Sequence, residues 1–347
     1  MSLKCLLTGG AGFIGSHMIE HLLRHTDWNI VVLDRLDAAG SLNRLYGMPS
    51  WGTHRHRVEY RHHDLRAPVS TGVAAELVGP FGNSPFDRVI HMAAGSHVDR
   101  SVTEPTLFVL DNVLGTEHLL ELLLKPGVFR RDTGRALHVS TDEVFGSAPP
   151  GIAFKPWDRF NPTNPYSATK AGAESLVVAL AATFELPLLV VHMTNVTGPN
   201  QAPEKFLPIA MECIASGVEV PIHAVNGQVC ARYYVDVENV CSAMLCVLDR
   251  GQLLDGSERA GRYNISGDVE LSNIDLCKKV ARIMGREFKY RLVEGPPGRL
   301  KPDLRYCIDD AETRALGWKP PVKFDDGLAR TVEAFLRRRE PQRTAAQ

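Results

Sequence analysis

Short apolar runs separated by longer stretches of helical period organise the first half of this chain. Lys4 to Thr8, Ile30 to Leu33, Val58 to Arg61, Phe86 to Met92, Ala136 to Val139 and Leu188 to His192 read as strands, most too apolar for a sheet with one wet face. Between them, apolar positions recur at helical spacing up to about His25, from about Pro105 to Leu124, and from Tyr166 to about Phe184. Strands alternating with helices predict an α/β fold, a doubly wound parallel sheet covered on both faces. Beyond residue 193 the pattern loosens into short elements rich in proline and glycine. The expected division is residues 1–193 as the sheet domain, 194–338 as a smaller α/β lobe with some elements returning to the sheet, and 339–347 as a flexible, polar tail.

The first strand runs into Gly9-Gly10-Ala11-Gly12-Phe13-Ile14-Gly15, and a helix follows. Glycines at 9, 12 and 15 permit a tight turn, close approach of a pyrophosphate and close helix-on-strand packing. Free N–H groups at the helix start, around Phe13 and Ile14, suit phosphate oxygens. Asp34 ends the second strand about twenty residues on, where a carboxylate accepts a ribose 2'-hydroxyl and repels a 2'-phosphate. A Rossmann-type sheet binding NAD is therefore expected. Arg35 leaves NADP open, since an arginine beside the ribose suits the extra phosphate.

Composition narrows the function. A formal net charge of -1, from 39 basic and 40 acidic residues, gives no overall field for nucleic acid or an anionic membrane surface. No apolar run approaches the roughly 20 residues a spanning helix needs. Seven cysteines show no metal or disulfide spacing, which suggests reduced thiols, no structural metal and a cytoplasmic protein. His54, His56, His62 and His63 cluster in sequence, but they sit beside a probable strand and read as exposed edge or loop residues rather than ligands.

The candidate chemistry lies after the fifth apolar run. Ser140-Thr141-Asp142-Glu143-Val144-Phe145-Gly146 emerges where a parallel sheet ends, and two adjacent carboxyls there suit an acid and base pair. An acidic loop capping the next segment is the plainer alternative. Tyr166 and Lys170 stand four apart on a helix begun at Pro165 and share a face. An ammonium beside the phenol is expected to lower its pKa and make Tyr166 a base.

Ser-Thr-Asp-Glu-Val-Phe-Gly and Tyr166-Ser167-Ala168-Thr169-Lys170, with the glycine-rich start, resemble the extended short-chain dehydrogenase/reductase superfamily, and within it the nucleotide-sugar 4,6-dehydratases. The resemblance runs from about Lys4 to about Leu336. It implies NAD held by Gly9, Gly12, Phe13, Ile14, Gly15, Asp34, Arg35, Leu36, Asp64, Leu65, Ala93, Ala94, Ser96, Tyr166, Lys170 and Asn195. It implies catalysis by Thr141, Asp142, Glu143, Tyr166 and Lys170, and a nucleotide-sugar substrate held by Ser96, Thr141, Asn195, Lys205, Arg232, Asn264 and Arg299. Two long helices paired with those of a second copy imply a homodimer; a monomer using both in its own core is the alternative. Where the family places a phosphate-binding arginine this chain has Cys230, so Arg232, on the same strand face, is the expected substitute. The implied reaction is conversion of an NDP-hexose, dTDP-glucose or UDP-glucose foremost, to the NDP-4-keto-6-deoxyhexose. The alternatives are a 4-epimerase, a 5,6-dehydratase or a non-catalytic NAD-binding protein.

Overall fold

A computed structural model describes residues 2–37, 39–294 and 303–344. Six strands, β1 (Lys4–Thr8), β2 (Asn29–Asp34), β3 (Val58–His62), β4 (Arg88–His91), β5 (Arg135–Val139) and β6 (Leu188–Met193), join Arg262–Ile265 in one seven-stranded sheet. Its order is Arg262–Ile265, β6, β5, β4, β1, β2, β3, and every pairing is parallel. This is the doubly wound, Rossmann-type arrangement that the alternation of apolar runs and helical segments predicts.

Strand period decides what each face buries. Leu7, Val32, Ile90, Leu137 and Val191 point to one side, where they meet the helices Phe13–His25 and Val237–Arg250 through Met18, Ile19, Val240 and Met244. Their neighbours Leu6, Val31, Val89, Ala136 and Val190 point to the other, against Leu119 and Leu123 of the helix Gly115–Leu124 and Val177 and Ala181 of Pro165–Phe184. A one-residue slip of any central strand would exchange the two cores, so the register is tightly specified. A third apolar cluster, around Leu207, Met211, Ile222, Leu276, Val280 and Val332, forms the C-terminal lobe. There Ala231–Asp236 lies between Val269–Ser272 and Asn195–Thr197, and Val220–Val225 lies between Tyr290–Glu294 and Gln228–Val229. From beyond residue 193, the helix Val237–Arg250 and the strand Arg262–Ile265 return to the large sheet.

Two elements differ from the pattern read in the sequence. The expected helix from Pro105 to Leu124 is interrupted by a π-helical stretch over Val109–Leu114. The wider turn brings Asn112 inward, where its Oδ1 accepts the Gly95 N–H at 2.7 Å and its Nδ2 donates to the Gly95 carbonyl at 3.1 Å and to Thr169 at 2.9 Å. The final helix runs from Phe324 to Thr344, so the chain stays helical through most of the segment expected to be a loose tail. Arg339 anchors it by an ion pair with Glu212 at 2.9 Å.

A buried polar cluster ties the helix Pro165–Phe184 to the far edge of the sheet. Asn264 Nδ2 donates to the carbonyls of Phe154 and Asp309, which turns its Oδ1 toward His192 Nδ1 at 3.0 Å. His192 Nε2 then lies 2.9 Å from Glu174 Oε2, and neither of these side chains reaches solvent. Replacing Glu174 by Ala leaves His192 without its partner and is expected to destabilise the fold by about 3–5 kcal/mol. Urea unfolding of Glu174→Ala against the parent chain checks this.

Candidate active site

One cleft opens over the C-terminal ends of the central strands, beside the point between β1 and β4 where strand order reverses. Its volume of about 320 Å³ falls within the range of small-molecule sites.

The glycine turn forms one wall. Gly9 has φ +72°, and a side chain there would press on the backbone of Ala93 at 2.7 Å. The helix it feeds begins at Phe13, with Gly12 as an extended N-cap that offers no side-chain acceptor, so the first amides are left for an anion. At the end of β2, Asp34 accepts the Ala11 N–H at 2.9 Å and the Leu36 N–H at 2.8 Å, which fixes its carboxylate beside the turn. Arg35 is engaged by carboxylates: Asp111 at 2.5 Å, Asp37 at 2.7 Å and Asp64 at 3.5 Å. The bonds to Asp111 raise its pKa, and its charge is already matched, so it is not set out for a 2'-phosphate. These residues fit NAD. Gly12, Phe13, Ile14, Gly15, Asp64, Leu65, Ala93, Ala94, Ser96 and Asn195 all line the same cleft.

The carboxyl pair follows β5. Thr141 caps a 3-10 turn over Asp142–Phe145, its hydroxyl accepting the Glu143 N–H at 3.4 Å and donating to Asp142 Oδ1 at 3.2 Å. The tight turn separates the environments of the two neighbours. Asp142 is buried, its Oδ2 has no hydrogen-bond partner among the described residues, and burial followed by the Glu143 charge pushes its pKa up to about 8. Glu143 is partly open; its Oε2 accepts from Asn164 Nδ2 at 3.0 Å and stands 3.2 Å from the Tyr306 hydroxyl. That hydroxyl lies closer to Asp303, at 2.6 Å. At neutral pH Asp142 is therefore a proton donor beside a carboxyl tied by hydrogen bonds.

Tyr166 and Lys170 project from the helix Pro165–Phe184, whose start is set by a capping box between Asn164 and Ser167 with Pro165 in the first turn. Both line the cleft, but the expected effect of one on the other is absent. Lys170 Nζ donates to the Val139 carbonyl at 2.6 Å, and burial brings its pKa down to about 8. Burial and the charges of Glu143 and Asp142 raise the Tyr166 pKa, and the Thr141 hydroxyl is the group that lowers it. A buried phenol beside two carboxyls resists ionisation more than the helical spacing alone suggests.

Other expected ligands are placed elsewhere. Leu36, at φ +57°, does not line the cleft; it contributes the backbone N–H that holds Asp34. Arg232 also stays out of it, because its guanidinium bonds to the carbonyls of Asp303 and Leu304 and stacks 4.4 Å from the Tyr306 ring centroid. Asn264 is wholly buried in the cluster with His192, so it cannot touch a substrate. Arg299 lies outside the described residues. Lys205 does line the cleft and donates to the Ser96 carbonyl at 2.7 Å. Residues not singled out in the sequence carry much of the support: Asn112 holds the 93–96 loop, Asp111 pairs with Arg35 and with Arg66 at 2.6 Å, and Asn164 and Tyr306 hold Glu143. Only Asn164 carried a readable signal, as a polar cap before Pro165.

Fold and cleft together define an NAD-dependent enzyme of the short-chain dehydrogenase/reductase type. Residues 6–331 match the family described as GDP-mannose 4,6 dehydratase. The dTDP-glucose 4,6-dehydratase of Salmonella typhimurium is 34% identical over 96% of this chain and 93% of its own, and the low-salt glycan biosynthesis protein Agl12 of Haloferax volcanii is 38% identical over 95% and 98%. The dTDP-glucose 4,6-dehydratase DesIV of Streptomyces venezuelae, solved with NAD bound, superposes with a TM-score of 0.82 at 34% identity, covering 97% of this chain and 98% of that one. The chain belongs to the nucleotide-sugar 4,6-dehydratase family of the extended short-chain dehydrogenases/reductases.

With Asp142 as the acid of the reaction proposed below, kcat is expected to fall as pH rises through about 8, where that carboxyl ionises. Asp142→Asn removes the transferable proton and is expected to lower kcat by about 10²–10⁴-fold. Steady-state rates between pH 6 and 10, roughly two units either side of the transition, measure both effects.

Proposed function

We propose that this chain converts dTDP-glucose or UDP-glucose to the corresponding NDP-4-keto-6-deoxyhexose by oxidation at C4, loss of water across C5–C6 and reduction at C6. The observation that carries the reading is the contrast between Asp142, buried and protonated at neutral pH, and the adjacent hydrogen-bonded Glu143. A 4-epimerase needs only a base for the 4-hydroxyl, whereas elimination needs an acid and a second base on one side of the sugar.

Tyr166 takes the proton of the sugar 4-hydroxyl, and the Thr141 hydroxyl beside it holds the 4-oxygen. Bound NAD supplies the hydride acceptor for C4 and the hydride donor for C6, with no net change in the cofactor, and its positive ring favours the ionised phenol. Lys170, fixed on the Val139 carbonyl and lining the cleft on the same helix as Tyr166, is placed to hold the cofactor rather than to tune the phenol. The 4-keto group acidifies C5–H, Glu143 removes that proton, and once C6 is reduced the protonated Glu143 gives a proton back to C5. Once protonated, Glu143 can donate to the Tyr306 oxygen, whose own proton is directed at Asp303. Asp142 protonates the departing C6 hydroxyl. Lys205 and Ser96 hold the nucleotide sugar at this end of the cleft. Because Arg232 is committed to Tyr306 and backbone carbonyls, its role toward the substrate is indirect, through the position of Tyr306.

The chain also works as a homodimer in this reading, joined through the helices at 105–124 and 165–184, on which Val109 is 47% and Phe184 43% exposed. Sedimentation at micromolar concentration tests that. Seven cysteines without a disulfide fit a cytoplasmic setting.

Glu143→Gln is expected to keep NAD bound, to stop solvent deuterium from entering C5 and to lower kcat by about 10²–10⁴-fold. Normal deuterium incorporation in that variant assigns the base elsewhere. Product mass after incubation with dTDP-, UDP-, GDP- and CDP-hexoses identifies the nucleotide, by loss of one water from a single member of the set.

A further inference from the structure

On the helix Phe13–His25, His17, His21 and His25 recur every four residues and so share one face. That face meets the first turn of Val237–Arg250, which presents Glu238. His21 Nδ1 stands 3.1 Å from Glu238 Oε1, and the rings of His21 and His25 are 4.3 Å apart at their centroids. One donor atom from each of His21, His25 and Glu238 lies within 4.8 Å of the other two. Tetrahedral bonds of about 2.0–2.2 Å set ligand atoms about 3.4 Å apart, so a small rotation of the exposed His25 closes the set. His17, a turn earlier, is not part of it, since its Nε2 faces the Pro199 carbonyl at 2.8 Å.

The surroundings favour ligation on balance. His21 is buried, which fixes one imidazole, while His25 is open to solvent and gives an ion its way in. Arg24 and Arg330 act on Glu238 and oppose a cation, but Arg330 is neutralised by Asp236 at 2.7 Å. None of the three candidate ligands lines the catalytic cleft.

We propose that His21, His25 and Glu238 form a site for a divalent transition metal of the zinc class, with two imidazoles, one carboxylate and one exchangeable position. The ion would tie the helix that carries the glycine turn to the helix that follows Ala231–Asp236, and would stabilise the fold without taking part in dehydration.

The test is titration of the metal-stripped full-length protein with Co²⁺, followed by absorbance, with Zn²⁺ competition and melting temperature in parallel. The expected result is one ion per chain, with ligand-field bands of nitrogen and oxygen coordination, displacement by zinc, and a higher melting temperature with zinc. His25→Ala, at an exposed position, and Glu238→Gln are each expected to fold and to weaken cobalt binding by more than about tenfold. A sulfur-to-metal charge-transfer band would move the ion to the cysteines and overturn the assignment. So would undiminished binding in both variants, or no binding by the parent chain at millimolar cobalt.

Discussion

Two carboxyl groups on neighbouring residues cannot both be ionised in a desolvated site without a large electrostatic cost, and the end of β5 is built around that restriction. The 3-10 turn begun by Thr141 sends Asp142 inward and leaves Glu143 partly open. Burial and the facing charge then keep a proton on Asp142 up to about pH 8, while Asn164 and Tyr306 stand on Glu143. A single turn thereby gives different environments to two side chains that differ by one methylene. The same burial, with the charges of Glu143 and Asp142, raises the Tyr166 pKa.

The rest of the fold keeps this arrangement in place. Asn164 serves twice, capping the helix that carries Tyr166 and Lys170 and donating to Glu143, so the start of that helix and the position of the carboxylate are set by one side chain. At the far end of the cleft the π turn over Val109–Leu114 directs Asn112 onto the Gly95 loop, and Asp111 onto Arg35 and Arg66. Deeper in the sheet, Glu174 and His192 bond the same helix to the strand Arg262–Ile265. Packing of apolar strands sets the layers, and these few buried polar contacts set the positions of reactive atoms to within a hydrogen bond.

Periodicity and the glycine turn made the sheet, its covering helices and the cofactor wall readable from sequence, because strand alternation and left-handed glycines are local properties. The Thr141-Asp142-Glu143 and Tyr166/Lys170 sets were readable for the same reason, as short motifs placed at the ends of local elements. Contacts made by distant residues were not. Asn264 is expected to hold substrate on the family resemblance alone, yet it is consumed by carbonyls of Phe154 and Asp309. Arg232 is expected to share a strand face with Cys230, but Cys230 lies just outside the strand Ala231–Asp236, and stacking on Tyr306, 74 residues away by its number, decides where the Arg232 charge goes. Tyr306 and Asn112 carry no local signature, and only tertiary packing gives them their roles. The i,i+4 spacing of Tyr166 and Lys170 established a common face but not which acceptor the ammonium would take.

The division of labour between Asp142 and Glu143 requires a proton on Asp142 while it sits beside Glu143. The most direct measurement is the infrared difference spectrum between the parent protein and Asp142→Asn, recorded with NAD bound from below pH 7 to above pH 9, about one unit or more on each side of the expected transition. A protonated carboxyl band assigned to Asp142 at pH 7, disappearing as pH rises through about 8, is the expected result. Absence of that band at pH 7, with the carboxylate band present in its place, would contradict the division of acid and base between Asp142 and Glu143.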